Sequence, residues 1–303
     1  MDTKTIINKV KLKDNLIILS GSPRGGDLTW KSMIKNLKSP LNADLAVSYG
    51  DKFHISEYLS SHIDYDWIFT EPINWREYLE QHYSENLIKF FKKGVENGLA
   101  GIDGLKGSGA IVFSLIDLVY RDHYETINKY ENVIYTRFDQ FYFMELDYNL
   151  ENKIYIPEGE DYFGINDRFI IIPKKAYEDF FSICTYIEKV YSKKNYEFLN
   201  TNSVLNEHIK FLSEKFEIVR TKRNMVTVAT SEDETRWRKP EYKLFFKKDL
   251  MIKYPGEFMS TMKNLIQLSY SPKAYIYNIP SLFQYFYLNL RIKLGQFKKK
   301  TSI

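Results

Sequence analysis

Short apolar runs alternate along the chain with longer stretches in which apolar positions recur every three or four residues. Leu16–Leu19, Asp44–Val47 and Asn132–Thr136 are of the first kind, the pattern of strands buried on both faces. Leu28, Met33, Ile34 and Leu37 share one face of a helix over Leu28–Leu37, and Trp75–Val95 and Ala110–Tyr130 continue the helical period. Trp67–Thr70 is a short apolar run stopped by Glu71-Pro72. Four glycines between Ala100 and Gly109 make that stretch a loop. Strands alternating with helices predict a mainly parallel sheet covered by helices.

The second half is less regular. Ile154–Ile156 and Arg168–Ile172 read as strands flanking an acidic loop, and Ala176–Tyr191 and Ser203–Phe211 as helices. Glu217–Arg220 and Met225–Ala229 look like strands joined by a basic turn, Thr221-Lys222-Arg223-Asn224. Beyond Pro240, Leu282, Phe283, Phe286, Tyr287, Leu290 and Leu294 fall at helical spacing. The nearest thing to a boundary lies around residues 232–240, which divides the chain into a body of 1–235 and an extension of 236–303.

Charge sharpens that division. From Arg236 onward there are 14 Lys and Arg against three acids, so the extension carries +11 of a total that is only +4, and the body is acidic. Such a segment suits an anionic membrane surface, where Phe and Tyr interleave with the cations. Nucleic acid is the rival partner but not the expected one. The 24 Tyr and 21 Phe suit sugar and base pockets, although a codon bias would produce the same numbers. One cysteine, Cys184, allows neither a disulfide framework nor a cysteine zinc site and reads as a small buried hydrophobe. The first residues, MDTKTIINKVKLKD, lack the apolar core of a signal peptide, and no stretch approaches the ~20 apolar residues of a spanning helix. A cytoplasmic or peripheral location is the expectation.

Three stretches carry candidate chemistry. The first, SGSPRGGDLTW over 20–30, joins a strand to a helix through glycines and one arginine. It lacks the Gly-Lys-Ser/Thr ending of an ATPase loop and the glycine spacing of a dinucleotide fold. The backbone over Gly21, Ser22, Pro23 and Arg24 can line a nucleotide while Arg24 reaches a diphosphate. Asp27 reads as an N-cap of the helix that follows. In the second stretch, NVIYTRFDQFYF over 132–143, a strand ends in Arg137 and Asp139, at the edge where parallel sheets bind ligands. Asp139 can ligate a divalent cation and Arg137 can bind phosphate directly. The third, PEGEDYFGINDR over 157–168, sets Glu158, Glu160, Asp161 and Asp167 beside Tyr162 and Phe163, a composition that suits a sugar and offers a general base. Glu207 and His208 read as a surface acid and a structural histidine, as do the other histidines.

Taken in order, SGSPRGG-x3-W, Tyr-Thr-Arg-Phe-Asp-Gln-Phe-Tyr and EGEDYFGINDR resemble GT-A-type glycosyltransferases, the nucleotide-sugar enzymes of large DNA viruses such as the algal viruses most of all. The likeness spans residues 15 to about 230. It implies an α/β fold with a Rossmann-type, mainly parallel central sheet, a nucleotide half over 1–140 and an acceptor half over 141–235, followed by a basic, partly helical extension. It implies that Gly21, Ser22, Pro23, Arg24, Arg137 and Asp139 bind a UDP- or GDP-type sugar donor. Asp139 would be the acid that holds Mn²⁺ or Mg²⁺, with Arg137 standing where such motifs carry their first Asp. Asp167, with Asp161 and Glu160 as rivals, would activate the hydroxyl of a glycan, glycoprotein or glycolipid acceptor. The opening loop also resembles that of sulfotransferases, which use phosphoadenosine phosphosulfate, but Gly26 and Asp27 replace the expected hydroxyls. A non-catalytic nucleotide- or membrane-binding module is the third reading.

Overall fold

The computed structural model describes residues 13–300 apart from 147–148, 163, 196–198, 234–239, 241, 246, 248 and 268–271. Strand β1 (Asn15–Ser20) lies at the centre of a seven-stranded sheet, between β2 (Asp44–Gly50) and β4 (Asn132–Thr136), both parallel to it. β3 (Tyr65–Phe69) extends the parallel run beyond β2. On the other side come β7 (Phe169–Pro173), β6 (Ile154–Pro157) and β8 (Ile218–Thr221). β7 runs against β4 and β6, so one strand of the seven is reversed and the sheet is mostly parallel.

The apolar runs behave as two-sided strands because each is covered twice. Leu16 and Ile18 point into the cluster formed with α3 (Trp75–His82), α4 (Glu85–Lys93), α5 (Gly109–Ile127), α6 (Tyr177–Phe181), α7 (Ile183–Lys189) and α8 (Thr201–Ser213). Ile17 and Leu19 point the other way, against Trp30 and Met33 of α1 (Gly26–Met33) and Leu59 of α2 (Glu57–Ser60). Period-two alternation inside a fully apolar run is what burial on both faces demands. Cys184 is fully buried in the first cluster.

A second, antiparallel sheet is built from β5 (Gln140–Tyr142), β9 (Met225–Ala229), β11 (Met251–Ile252) and β10 (Tyr242–Lys243). Its Val226, Val228 and Ile252 pack on Phe258, Met262 and Leu265 of α9 (Pro255–Gln267), and Leu288 of α10 (Pro272–Lys300) closes the same cluster. The segment beyond 240 therefore continues the body's packing through strands as well as helices.

Several expected elements differ in detail. Trp75–Val95 is two helices, because the Ser84 hydroxyl accepts from Asn86 N–H and caps α4; both helices pack into the same apolar cluster. Ala176–Tyr191 likewise breaks at Ser182. The helix over 28–37 ends in a π-helical turn, Ile34–Lys38. Ala110–Tyr130 bends at His123, whose ring stacks on Trp67 at 4.1 Å. Glu217–Arg220 and Met225–Ala229 do not form a hairpin: β8 joins the large sheet and β9 the small one, and the basic turn bridges them.

Candidate functional site

The carboxyl ends of the parallel strands open onto a cavity of about 400 Å³, large enough for a nucleotide-sized ligand. Gly21, Ser22 and Arg24 line it from the β1–α1 loop, and Arg137 and Asp139 from the end of β4. Asp167 and Arg168 enter from the β6–β7 loop, and Lys253 and Tyr254 from the end of β11. At the far end, beyond β2 and β3, Phe53, Phe69, Glu71 and Trp75 form an aromatic wall with one carboxylate. Trp75 is buried and its indole N–H has no partner among the described residues.

The β1–α1 loop is shaped by its glycines. Gly25 caps α1 at φ 86°, and a Cβ there would stand 2.9 Å from the Thr29 hydroxyl oxygen. The N-cap is Gly25 rather than Asp27; Asp27 sits in the first turn, where its carboxylate accepts from the Ser56 hydroxyl at 2.5 Å. Asp233 ties the loop down by accepting from Gly25 N–H at 3.0 Å and Thr230 N–H at 2.6 Å. Pro23 lies in this loop but is not among the lining residues.

At the end of β4, Arg137 grips Asp139 with two hydrogen bonds, Nε to Oδ1 at 3.0 Å and Nη2 to Oδ2 at 2.7 Å. The Asp139 side chain is almost wholly buried and that of Arg137 partly open to the cavity. Burial works against the charged carboxylate, but Arg137 beside it, with Lys253 and Arg24 nearby, holds Asp139 below the usual range. Lys253 is 4% exposed. Burial, with Arg137 second, pushes its ammonium down to about 8. Arg24, Arg137, Arg168 and Lys253 thus line the same cavity as Asp139 and Asp167.

The acidic loop is sorted by two arginines, Arg220 of β8 and Arg223 of the turn that follows it. Arg223 donates to the carbonyls of Glu158, at 3.1 Å, and Gly159, at 2.6 Å. Arg220 takes Asp161 at 2.7 Å, and Asp161 also accepts from Asn166 N–H. Asp161 is therefore held on the strand side and does not line the cavity, and neither does Glu160. Asp167 does. Gly164 packs so closely on the backbone of Asn202 that any side chain would collide, and Ile165 N–H donates to Asn202 O at 3.0 Å. Replacing Gly164 with Ala should lower the melting temperature by several degrees, a loss of about 1–3 kcal/mol measurable by thermal denaturation.

Beneath the loop lies a buried ion cluster. Glu257, fully buried on α9, pairs with Arg168 and lies 3.6 Å from Arg223, and its second oxygen accepts from Thr227 N–H at 2.7 Å. Burial opposes the Glu257 charge, but the two guanidiniums hold its carboxyl below the ordinary value. Arg168 also lies over the Tyr254 ring at 4.3 Å. Arg168, Lys253, Tyr254 and Glu257 were not among the residues that the sequence singled out. The available signal was Met251-Ile252-Lys253-Tyr254-Pro255, a short apolar run ending in a cation like Val133–Arg137.

Glu207 pairs on the surface with Lys210 at 2.6 Å. His208 is fully buried between Tyr191 Oη and Phe180 O, and burial pushes its imidazole down to about 4. Because the folded state prefers the neutral ring, this contribution is intact above pH ~6.5 and is lost as pH falls toward 4, by as much as ~3 kcal/mol. Chemical denaturation across that window should show the slope, and His208→Gln should remove it.

Among the described residues, no three His, Cys, Asp or Glu side chains form a group that could hold a metal ion. Asp139, the expected ligand, has both oxygens on Arg137 and cations around it. This donor set does not fit a resident Mn²⁺ or Mg²⁺.

No family model matches the chain, and no curated protein matches it. Among solved structures, the apo form of mouse xyloside xylosyltransferase 1 aligns with a TM-score of 0.35 at 10% identity, over 69% of this chain and 84% of that one.

Proposed function

We propose that the protein is a glycosyltransferase that binds a nucleotide diphosphate sugar in the strand-end cavity, with the diphosphate among Arg24, Arg137, Arg168 and Lys253. The observation that carries this reading is the convergence of these four cations and Asp167 on one cavity at the carboxyl ends of β1 and β4. A diphosphate leaving group develops negative charge as the sugar–oxygen bond breaks, and fixed cations in a partly buried site stabilise that charge. The aromatic wall of Phe53, Phe69 and Trp75 suits the flat base of the nucleotide. Asp167 lines the same cavity as the cations, which supports the reading that it takes the proton of an acceptor hydroxyl. GT-A-type enzymes commonly bring a divalent ion to this step; here the cations of the chain replace its charge. UDP- and GDP-sugars are the donor class, and a glycan, glycoprotein or glycolipid is the acceptor class.

The test is release of nucleoside diphosphate from a panel of UDP-, GDP- and CDP-sugars, with mixed glycans as acceptors. One nucleotide class should turn over. Turnover of none, combined with binding of phosphoadenosine phosphate, would move the chemistry to sulfuryl transfer. Lys253→Met should weaken nucleoside diphosphate binding roughly tenfold or more, the loss of one charge-assisted contact, as read by calorimetry.

A further inference from the structure

Helix α10 meets the small sheet through Leu288 and through three buried polar side chains, Asn278, Ser281 and Gln284. Asn278 donates to Phe143 O at 2.7 Å, Gln284 donates to Lys243 O at 2.6 Å and accepts from Phe245 N–H at 2.8 Å, and Ser281 is buried between them. These bonds pin the helix to the small sheet. On the opposite side Ile276, Ile279, Phe283, Phe286, Tyr287 and Leu290 fall within an arc of about 100°. They are 45–69% exposed. The apolar stripe cannot turn inward without breaking the polar contacts that hold the helix, so it faces outward by construction.

An apolar stripe of this size needs an occupant, and charge selects one. Residues 272–300 contain six Lys and Arg (Lys273, Arg291, Lys293, Lys298, Lys299, Lys300) and no Asp or Glu. Two copies of this helix set face to face would bring like charges together. An anionic bilayer offers both an apolar layer for the stripe and negative headgroups for the cations. No helix among the described residues is long and apolar enough to cross a membrane. We propose that the outer face of α10 seats the protein on an anionic lipid surface, with the stripe in the interface. This does not depend on the chemistry of the cavity.

The experiment is flotation of the full chain with phosphatidylcholine vesicles, with and without about a third phosphatidylserine. The chain should float with the anionic vesicles and not with the neutral ones, and high salt should weaken the association. Phe283→Ser combined with Phe286→Ser should reduce it roughly tenfold or more, while the melting temperature stays unchanged because both side chains are exposed. Three outcomes overturn the proposal: no flotation with anionic vesicles, equal flotation of the double variant, or a dimer in sedimentation that the double variant dissolves, which would make a second copy the occupant.

Discussion

Asp167→Asn should slow sugar transfer by roughly 10²- to 10⁴-fold, the usual worth of a positioned general base. Nucleoside diphosphate affinity should hold or rise, since the substitution removes a negative charge from beside Arg137 and Arg168. The loss belongs in kcat rather than KM, because the proton is taken only as the acceptor attacks. Asp161→Asn is the informative comparison. Its carboxylate is held by Arg220 outside the cavity, so transfer should fall far less. Steady-state kinetics on the two variants checks both. Full activity in Asp167→Asn would assign the base to another group.

The largest stability effect should come from Glu257→Gln, at about 3–5 kcal/mol. Glutamine keeps one acceptor oxygen where Arg168 and Thr227 N–H use two, it supplies no charge, and both guanidiniums are left buried without their counter-ion. The damage should spread to the site, because Arg223 fixes the start of the acidic loop and Arg168 follows Asp167 in sequence. Urea denaturation gives the stability loss. Asp179→Asn, which breaks an exposed pair with Lys215, should leave the midpoint nearly unchanged. Comparable losses in the two variants would mean that the buried cluster is not what holds α9 to the loop.

Much of the large sheet was legible because its strands are apolar on both faces and its helices keep their period. The β1–α1 loop and the Arg137–Asp139 strand end could be found because charges or glycines interrupt such runs. The small sheet was hidden for the opposite reason. β5, β10 and β11 are two or three residues long, too short for a period, and draw their stability from α9 rather than from their own pattern. Lys253 was hidden inside a basic count, where one buried cation looks like its solvated neighbours. The split between Asp161 and Asp167 could not be read from spacing, since it depends on Arg220 reaching across from a strand nearly 60 residues away. The outward stripe of α10 was visible as periodicity, but periodicity alone cannot say which side of a helix faces the body.

The most direct measurement is calorimetric titration of UDP and of GDP into the full chain with excess EDTA, repeated with Mn²⁺. Binding of one of them in EDTA, little changed by Mn²⁺ and weakened by Lys253→Met, is the predicted result. Absence of binding in EDTA with binding restored by Mn²⁺ would contradict the cation-lined site, and absence of binding under both conditions would contradict the nucleotide-sugar reading itself.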